Sequence, residues 1–578
     1  MASLNSNTIK TLLFGPREEV LYSVELEYRE ANVKTYKELM EVGSLFGTDY
    51  TALKEFLGIA CIAAVLRANC YQAEILIAGN TDANDADLVR QIVSSDPDVL
   101  GISLLYDLQL SNAIRIAHEV KKIKPNTKIL LGGAFATASA EVIMNKFSFI
   151  DFVIKGEGED AVIELYRVLE GMGDISQVSG LVYRSDDKIR SNSIKCILNL
   201  DKIPLPARDI LSNMKNKKTP IGAAYLYSSR GCKGACVFCC VPDLNRNHQI
   251  KWRCRDPVLV VDEIEQLVKK FNIRFFYFTD DNFYGYSDDN EKRLYTFANE
   301  IIKRNLKIQF HAECRVDSLD EQVLIKLKDA GLSQLLLGIE SGSDFTLKRW
   351  GKKQSVKDNE RALQLGKKHG FDLMPSIILI DWESTLEEVD ETVDFIGRNK
   401  IYEIQYPLAL INKMHILRGT AAARRYDKWH PNKGELHITS DLCNLNEWIV
   451  KYTYQDIKTE DIYVAAFWKY LSIESNRWYV ISQEIIPQFL LSIRKSKRKD
   501  KKAVELIQSC GNWRNALGYH LFLLMRYLAD GLLALKAKGS YDLEIGQDIS
   551  EFVRKLEKEN FPEGIEEELL LCKKEANQ

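Results

Sequence analysis

Cys232, Cys236, Cys239 and Cys240 fall within the 17-residue stretch "SSRGCKGACVFCCVPDL" (228–244), and the chain has no second cysteine cluster. Thiols packed this closely can form disulfides, hold zinc, or hold an iron–sulfur cluster. The start, MASLNSNTIKTLLFG, lacks the basic residues and long apolar run of a secretory signal. No apolar run approaches the ~20 residues that span a bilayer. The nearest, LGYHLFLLMRYLADGLLALKAKG (517–539), carries Arg526 and Asp530 and is expected as a buried helix. A cytoplasmic chain without a membrane span is therefore expected. Its thiols would stay reduced, which sets the disulfide aside. Zinc needs four ligands, usually in two separated pairs; His248 and Cys254 could complete a set but match no common second pair. Three thiolates on a four-iron cube leave one iron open to a substrate or cofactor.

Two series of strands and helices must position this loop. The first occupies the N-terminal 200 residues, with apolar strands at IKTLLFGP (9–16), AEILIAG (73–79), VLGISLL (99–105), KILLGGA (128–134) and FVIKGEGE (152–159) separated by helical segments. That alternation predicts a doubly wound parallel sheet covered on both faces. Such sheets bind ligands beyond the carboxyl ends of their strands. There stand Ser103, the pair Gly132 and Gly133, and Gly156 with Glu157, small or polar residues that permit close approach to the backbone.

Residues 201–220, with three prolines and a basic patch, are expected as a linker. The second series follows over 221–415, with strands at 223–229, 275–282, 308–317, 334–341, 373–381 and 403–412, and predicts a partial (β/α)6 barrel of TIM type. The cysteine loop directly follows its first strand. Strand alternation puts Gln309, His311, Glu313 and Arg315 on one face, as if that face lined a cavity. Asp280, Asp281 and Asn282 close an earlier strand and Glu340 a later one. From residue 416 to 578 the texture is aromatic and helical; its charge run RKSKRKDKK (494–502) is expected to be solvated, and with a net charge of −3 no nucleic-acid partner is indicated.

The match CKGACVFC, placed after a first barrel strand, resembles the motif of the radical S-adenosylmethionine (SAM) superfamily. That resemblance implies a [4Fe–4S] cluster on Cys232, Cys236 and Cys239, with SAM chelated by the open iron. It places Phe238 against the SAM adenine, Arg315 and Glu340 first among the SAM-binding residues, and Asp280, Asp281 and Asn282 second. Cys240 is expected to point elsewhere. The preceding domain, with DPDVLGIS, KILLGGAFAT and DFVIKGEGE, resembles the cobalamin-binding domain of the B12-dependent radical SAM family. His118, the only histidine before residue 248, falls within a helix and is expected to be structural rather than a cobalt ligand.

The combined resemblance implies a C-methyltransferase that adds a methyl from methylcobalamin to an unactivated carbon of a natural-product or peptide substrate. The hydrogen would be removed by a 5′-deoxyadenosyl radical, with electrons from a flavodoxin- or ferredoxin-type donor and the C-terminal domain capping the barrel mouth. The rival expectations are a non-methylating member (cyclisation, ring contraction or oxidation), a methylthiotransferase, and a non-catalytic sensor. Cys61, Cys70 and Cys196 are too scattered for the additional cluster of a methylthiotransferase.

Overall fold

The computed structural model describes residues 9–17, 55–78, 83–216, 221–244, 250–285, 288–403, 410–429, 436–438, 450–452, 459–480, 486, 501–540, 543 and 546–560. His248, most of the expected strand 403–412 and most of the charge run 494–502 lie outside them.

The first series forms β1 (Lys10–Gly15), α1 (Leu57–Ala68), β2 (Gln72–Ile77), α2 (Asp85–Ser95), β3 (Val99–Ser103), α3 (Leu110–Ile123), β4 (Lys128–Gly132), α4 (Ala134–Lys146), β5 (Phe152–Ile154) and α5 (Glu159–Leu169). The strand order is β2-β1-β3-β4-β5, all parallel. Alternate strand residues enter opposite cores. Leu12, Phe14, Leu100 and Ile102 join α2, α3 and α4, whereas Leu13, Val99 and Leu130 join α1 and α5. Because the order reverses at β1, a crevice opens at the carboxyl ends of β1 and β3. An unanticipated antiparallel hairpin, β6 (Leu181–Ser185) and β7 (Lys188–Ser191), extends the sheet beside β5. Asp186 and Asp187 turn it with φ of 50° and 55°, the left-handed pair of a type I′ turn.

The segment expected as a linker binds the two halves together. It contains α6 (Asp209–Asn216), whose Leu211 and Met214 are buried. Arg208, its side chain 9% exposed, stands just before it and pairs with Glu55 at 2.9 Å and with Glu263 at 2.8 Å. Three prolines and scattered lysines hid the paired arginine and the apolar stripe that follows it.

The second series comprises β8 (Ala224–Leu226), the short β9 (Ser229–Gly231), α7 (Val241–Leu244), β10 (Trp252–Cys254), α8 (Pro257–Phe271), β11 (Phe275–Phe278), α9 (Asp288–Lys303), β12 (Gln309–Cys314), α10 (Glu321–Asp329), β13 (Leu332–Glu340), α11 (Asp344–Arg349), α12 (Val356–Lys368), β14 (Asp372–Ile377) and α13 (Leu386–Arg398). Five parallel strands run in the order β8-β11-β12-β13-β14. Past β14, Leu379 N donates to Asn412 O at 2.7 Å and Met414 N to Ile380 O at 2.8 Å, so the chain near 412–414 continues the arc in parallel. Phe276, Phe310, Ala312, Leu335 and Leu337 pack outward under the helices.

The remainder contributes α14 (Ala421–Trp429), a two-stranded ribbon β15 (Leu436–Ile438) and β16 (Val450–Tyr452), and helices α15 (Ile462–Val480), α16 (Lys501–Ala537) and α17 (Gly546–Asn560). Instead of crossing the barrel mouth, α16 packs on the barrel's outer helix α13: Leu521, Leu524 and Leu528 join the core of Val389, Val393 and Ile396. Its Arg526 pairs with Asp394 at 2.7 Å. The apolar stripe of α16 finds its partner there, as expected of a buried helix. No helix among the described residues is long and apolar enough to cross a membrane.

Candidate active site

After β8 the chain leaves the barrel sheet, because β9 pairs antiparallel with β10. The turn is held from below. Asp280 is fully buried and accepts from Ser228 N at 2.9 Å, Ser228 Oγ at 2.6 Å and Ser229 Oγ at 2.5 Å. Asn282, also fully buried, accepts from Arg315 N at 3.3 Å and donates to Gly285 O at 3.2 Å. Both were expected to contact SAM; both hydrogen-bond inward and fix the backbone that carries the loop.

The loop is clasped on its outer side. Val237 N donates to Trp350 O at 2.9 Å, and Ala422 N donates to Val237 O at 2.8 Å. Phe238 sits edge-on to the Trp350 ring, with centroids 5.8 Å apart. Gly351 has a φ of 67°, and a Cβ there would lie 2.9 Å from Ala235 O. Only glycine lets these two backbones touch.

Gly234 marks the hollow of the loop. A Cβ on it would lie 3.2 Å from Cys232 Sγ and 3.8 Å from Cys236 Sγ. Arg315 Nη1 stands 3.7 Å from Cys236 Sγ. Burial pushes the Cys236 thiol up, opposed by Lys352 and Arg315. The neighbouring Cys240 side chain raises the Cys239 thiol, and Cys239 lowers that of Cys240. The tight turn into α7 puts the two neighbours side by side, with Leu244 N donating to Cys240 O at 2.9 Å.

Among the described residues no three Cys, His, Asp or Glu side chains converge as ligands of a single ion do. A four-iron cube asks for something wider, since each thiolate binds its own iron. An all-sulfur donor set around a glycine hollow fits that group.

Arg315 and Glu340 flank the loop. Arg315 makes a two-pronged bridge to Asp317, at 2.9 and 2.7 Å. Glu340 is buried at the end of β13, where the β13–β14 register breaks, and holds a φ of 66°. For a residue with a Cβ that backbone is strained, a feature that concentrates at ligand sites. Lys352 Nζ lies 2.6 Å from Glu340 Oε1, and Ser376 Oγ donates to Oε2 at 2.9 Å.

A cavity of ≈ 360 Å³ opens between the two α/β domains. Ser103, Gly132, Gly133, Gly156 and Glu157 line it from the carboxyl ends of the first sheet; Tyr227, Ser229, Arg230, Thr279 and Asp281 line it from the barrel. Gly132 faces open space, while a Cβ on Gly133 would strike Leu104 O at 2.4 Å. The glycine pair thus supplies a bare floor and the sharp turn beneath it, as a large flat ligand such as a corrin requires. Asp281 accepts from Gly231 N at 2.9 Å. Crowding by surrounding protein raises its carboxyl, the Gly231 N–H lowers it, and Asp280 adds to the rise.

Glu157 lines the cavity, but its carboxylate faces cations. It accepts from Arg253 Nη1 at 2.8 Å, Arg230 Nη1 at 3.1 Å and Ile197 N at 2.9 Å. Its place in GEGE suggested ligand contact; the structure uses it as a bolt between domains. Arg230, Arg253 and Lys352 escaped the sequence reading. The only signal, for Arg230 alone, was the charge complementarity of SRGC and GEGE. His118 lies on α3 against Phe149, away from the residues lining the cavity.

Two family models match, a B12 binding domain over residues 54–166 and the Radical SAM superfamily over residues 226–396. The chain belongs to the cobalamin-dependent radical SAM enzymes. The first match covers the glycine-floored sheet and the second the cysteine loop and barrel. It is 29% identical to an uncharacterized methyltransferase of Pyrococcus horikoshii, over 61% of this chain and 75% of that one. It is also 29% identical to the anaerobic magnesium-protoporphyrin IX monomethyl ester cyclase of Rubrivivax gelatinosus, over 58% of this chain and 60% of the relative. The solved structure of the cobalamin-dependent SAM radical enzyme OxsB, with aqua-cobalamin and SAM bound, superposes with a TM-score of 0.66 at 19% identity, covering 98% of this chain and 79% of that one. That last likeness is one of fold.

Proposed function

We propose that this radical SAM enzyme is a C-methyltransferase that transfers a methyl group to an unactivated carbon of a small-molecule or peptide substrate. The observation that carries this reading is the shared cavity: Gly132 and Gly133 open into it from one domain, Arg230 and Asp281 from the other, and Arg230 stands two residues before Cys232. Chemistry that joins two cofactors needs their ligand-binding ends in one enclosure.

Cys232, Cys236 and Cys239 would hold the [4Fe–4S] cluster, while Ser103, Gly132, Gly133 and Gly156 would face cobalamin. When bound, the cluster with SAM supplies a 5′-deoxyadenosyl radical and cobalamin supplies a transferable methyl group. The chain's residues bind and orient. Arg315 and Asp281 offer opposite charges for the carboxylate and ammonium ends of the SAM methionine. Glu340 offers acceptor oxygens, and Phe238 an aromatic edge beside the loop. The Arg230 and Arg253 bridges fix the spacing of the two halves. An external one-electron donor completes the set.

The cyclase among the relatives supports the second reading, a radical reaction without methyl transfer. Methyl-deuterated SAM separates the two. A methyltransferase yields one S-adenosylhomocysteine, one 5′-deoxyadenosine and one labelled product per turnover. A product of unchanged mass, with deoxyadenosine and no coupled homocysteine product, sinks the proposal.

A further inference from the structure

The inner face of the barrel carries a row of polar groups that, apart from Asp281, the cofactor assignments do not use. By strand alternation the inward residues of β11 and its carboxyl end are Tyr277, Thr279 and Asp281; those of β12 are His311 and Glu313; those of β13 include Gln334 and Leu336. Thr279 and Asp281 already line the inter-domain cavity, so this row continues from the cavity toward the barrel floor. The floor is aromatic on one side, with Tyr225 and Tyr277 stacked at 5.3 Å. Barrel interiors are ordinarily filled with packed side chains. Here Tyr225, Tyr277, Glu313, Gln334 and Leu336 remain partly exposed, although the residues between them are buried beneath the helices.

Two atoms in this row lack a partner. His311, 5% exposed, has a buried Nδ1 without a hydrogen bond, and Gln334, its direct register partner on β13, has an unbonded Oε1. Buried polar groups are nearly always satisfied, so each orphan points to a missing partner. Gln334 is oriented by its Nε2, which donates to Asp372 Oδ2 at 2.8 Å, leaving the carbonyl oxygen for something else. One step along β12 stands Glu313, near the carboxyls of Asp281 and Asp280. Burial, with those two carboxylates adding to it rather than offsetting it, raises its carboxyl to about 7. Arg293 faces Asp280 and Arg230 faces Asp281, but no cation is among the charges acting on Glu313 itself.

We propose that the inner face of β12 and β13 is a substrate subsite for a protonated amine at Glu313, with a second hydrogen-bond donor one strand step away for Gln334 Oε1 and His311 Nδ1. An ammonium brings donors and positive charge. A second donor about 6–7 Å away, two residues along a strand, meets the lower pair. The stacked tyrosines form a shelf for a ring or flat segment between the two ends. The substrate class is therefore an amine-bearing molecule with a hydroxyl or N–H at that separation. This deepens the methyl-transfer reading by naming what enters its site.

The test uses full-length enzyme loaded with cluster and cobalamin, without reductant, so that binding is scored apart from turnover. Tyramine is titrated by calorimetry against 4-ethylphenol, which keeps the ring and hydroxyl but has no amine. The subsite predicts at least tenfold preference for tyramine, abolished in Glu313→Gln at unchanged iron and corrin spectra. Gln334→Leu should weaken both ligands and preserve the preference. Equal affinity for the two probes, or a preference that survives Glu313→Gln, overturns the proposal. So does strict competition between tyramine and SAM, which would assign Glu313 to the SAM pocket. Failure of label transfer with these binding results intact would overturn the methyltransferase reading alone.

Discussion

Arg230, two residues before the first cysteine of the loop, reaches out of the barrel and donates to Glu159 of the N-terminal domain at 2.6 Å. The same guanidinium lies over the Tyr227 ring, 4.6 Å from its centroid, and reaches Glu157 at 3.1 Å. Residues on either side of the cavity are thus tied across it at the point where the cysteine loop begins. Breaking one side of a buried pair leaves an uncompensated charge.

Arg230→Gln should accordingly cost about 3 kcal/mol in stability, read from the denaturant midpoint of the holoenzyme. Adding Glu159→Gln should recover part of that loss, because the stranded carboxylate is removed. If the double variant is no more stable than Arg230→Gln, the bridge is not the origin of the effect.

Glu340 has two separable properties, a carboxylate that pairs with Lys352 and a left-handed backbone. Glu340→Ala and Glu340→Gly both remove the carboxylate, and both should weaken SAM binding at least tenfold by equilibrium dialysis. Alanine retains the backbone strain and glycine does not, so the glycine variant should be more stable by about 1 kcal/mol. The opposite order would show that the φ of 66° is not strained in the folded protein.

Glu313 makes ligand-free stability depend on pH. Its folded pKa, about 7, lies above the ordinary 4.5, so the native state holds a proton that the unfolded chain releases. Stability is therefore lost as pH rises from about 4.5 to 7 and is level above that, by at most about 3 kcal/mol. Buried His311, lowered to about 4, has the opposite slope: its contribution falls as pH drops from 6.5 toward 4. In thermal melts, Glu313→Gln should gain on the wild type progressively between pH 5 and pH 7.5. A constant offset across that range would contradict the burial of an uncompensated carboxyl.

The cysteine spacing and the strand rhythm were legible because each rests on short-range pattern. C-x3-C-x2-C needs no tertiary information, and apolar runs at 99–105 or 128–134 announce buried parallel strands. The roles of polar residues were less legible. Asp280, Asp281 and Asn282 are neighbours in sequence, yet only Asp281 opens to the cavity, because successive side chains leaving β11 point in different directions. Glu157 looked like a ligand contact because its cationic partners lie 73 and 96 residues away. The β6–β7 hairpin has its sequence signal in Asp186-Asp187, a weak one inside a domain whose strands otherwise alternate with helices. The linker assignment followed composition and missed that one arginine, Arg208, binds carboxylates from both sides.

Magnetic resonance tests directly whether the cysteine loop and the glycine floor serve one cavity. With cobalamin in the cob(II)alamin state and the cluster reduced, two paramagnets should share the enclosure. Dipolar broadening of the cobalt signal and faster spin relaxation are expected. Both should vanish in the Cys232→Ala, Cys236→Ala, Cys239→Ala variant, which should lose iron and retain corrin. A cobalt signal identical in the presence and absence of the reduced cluster, or about four irons retained by the triple variant, would contradict the shared cavity.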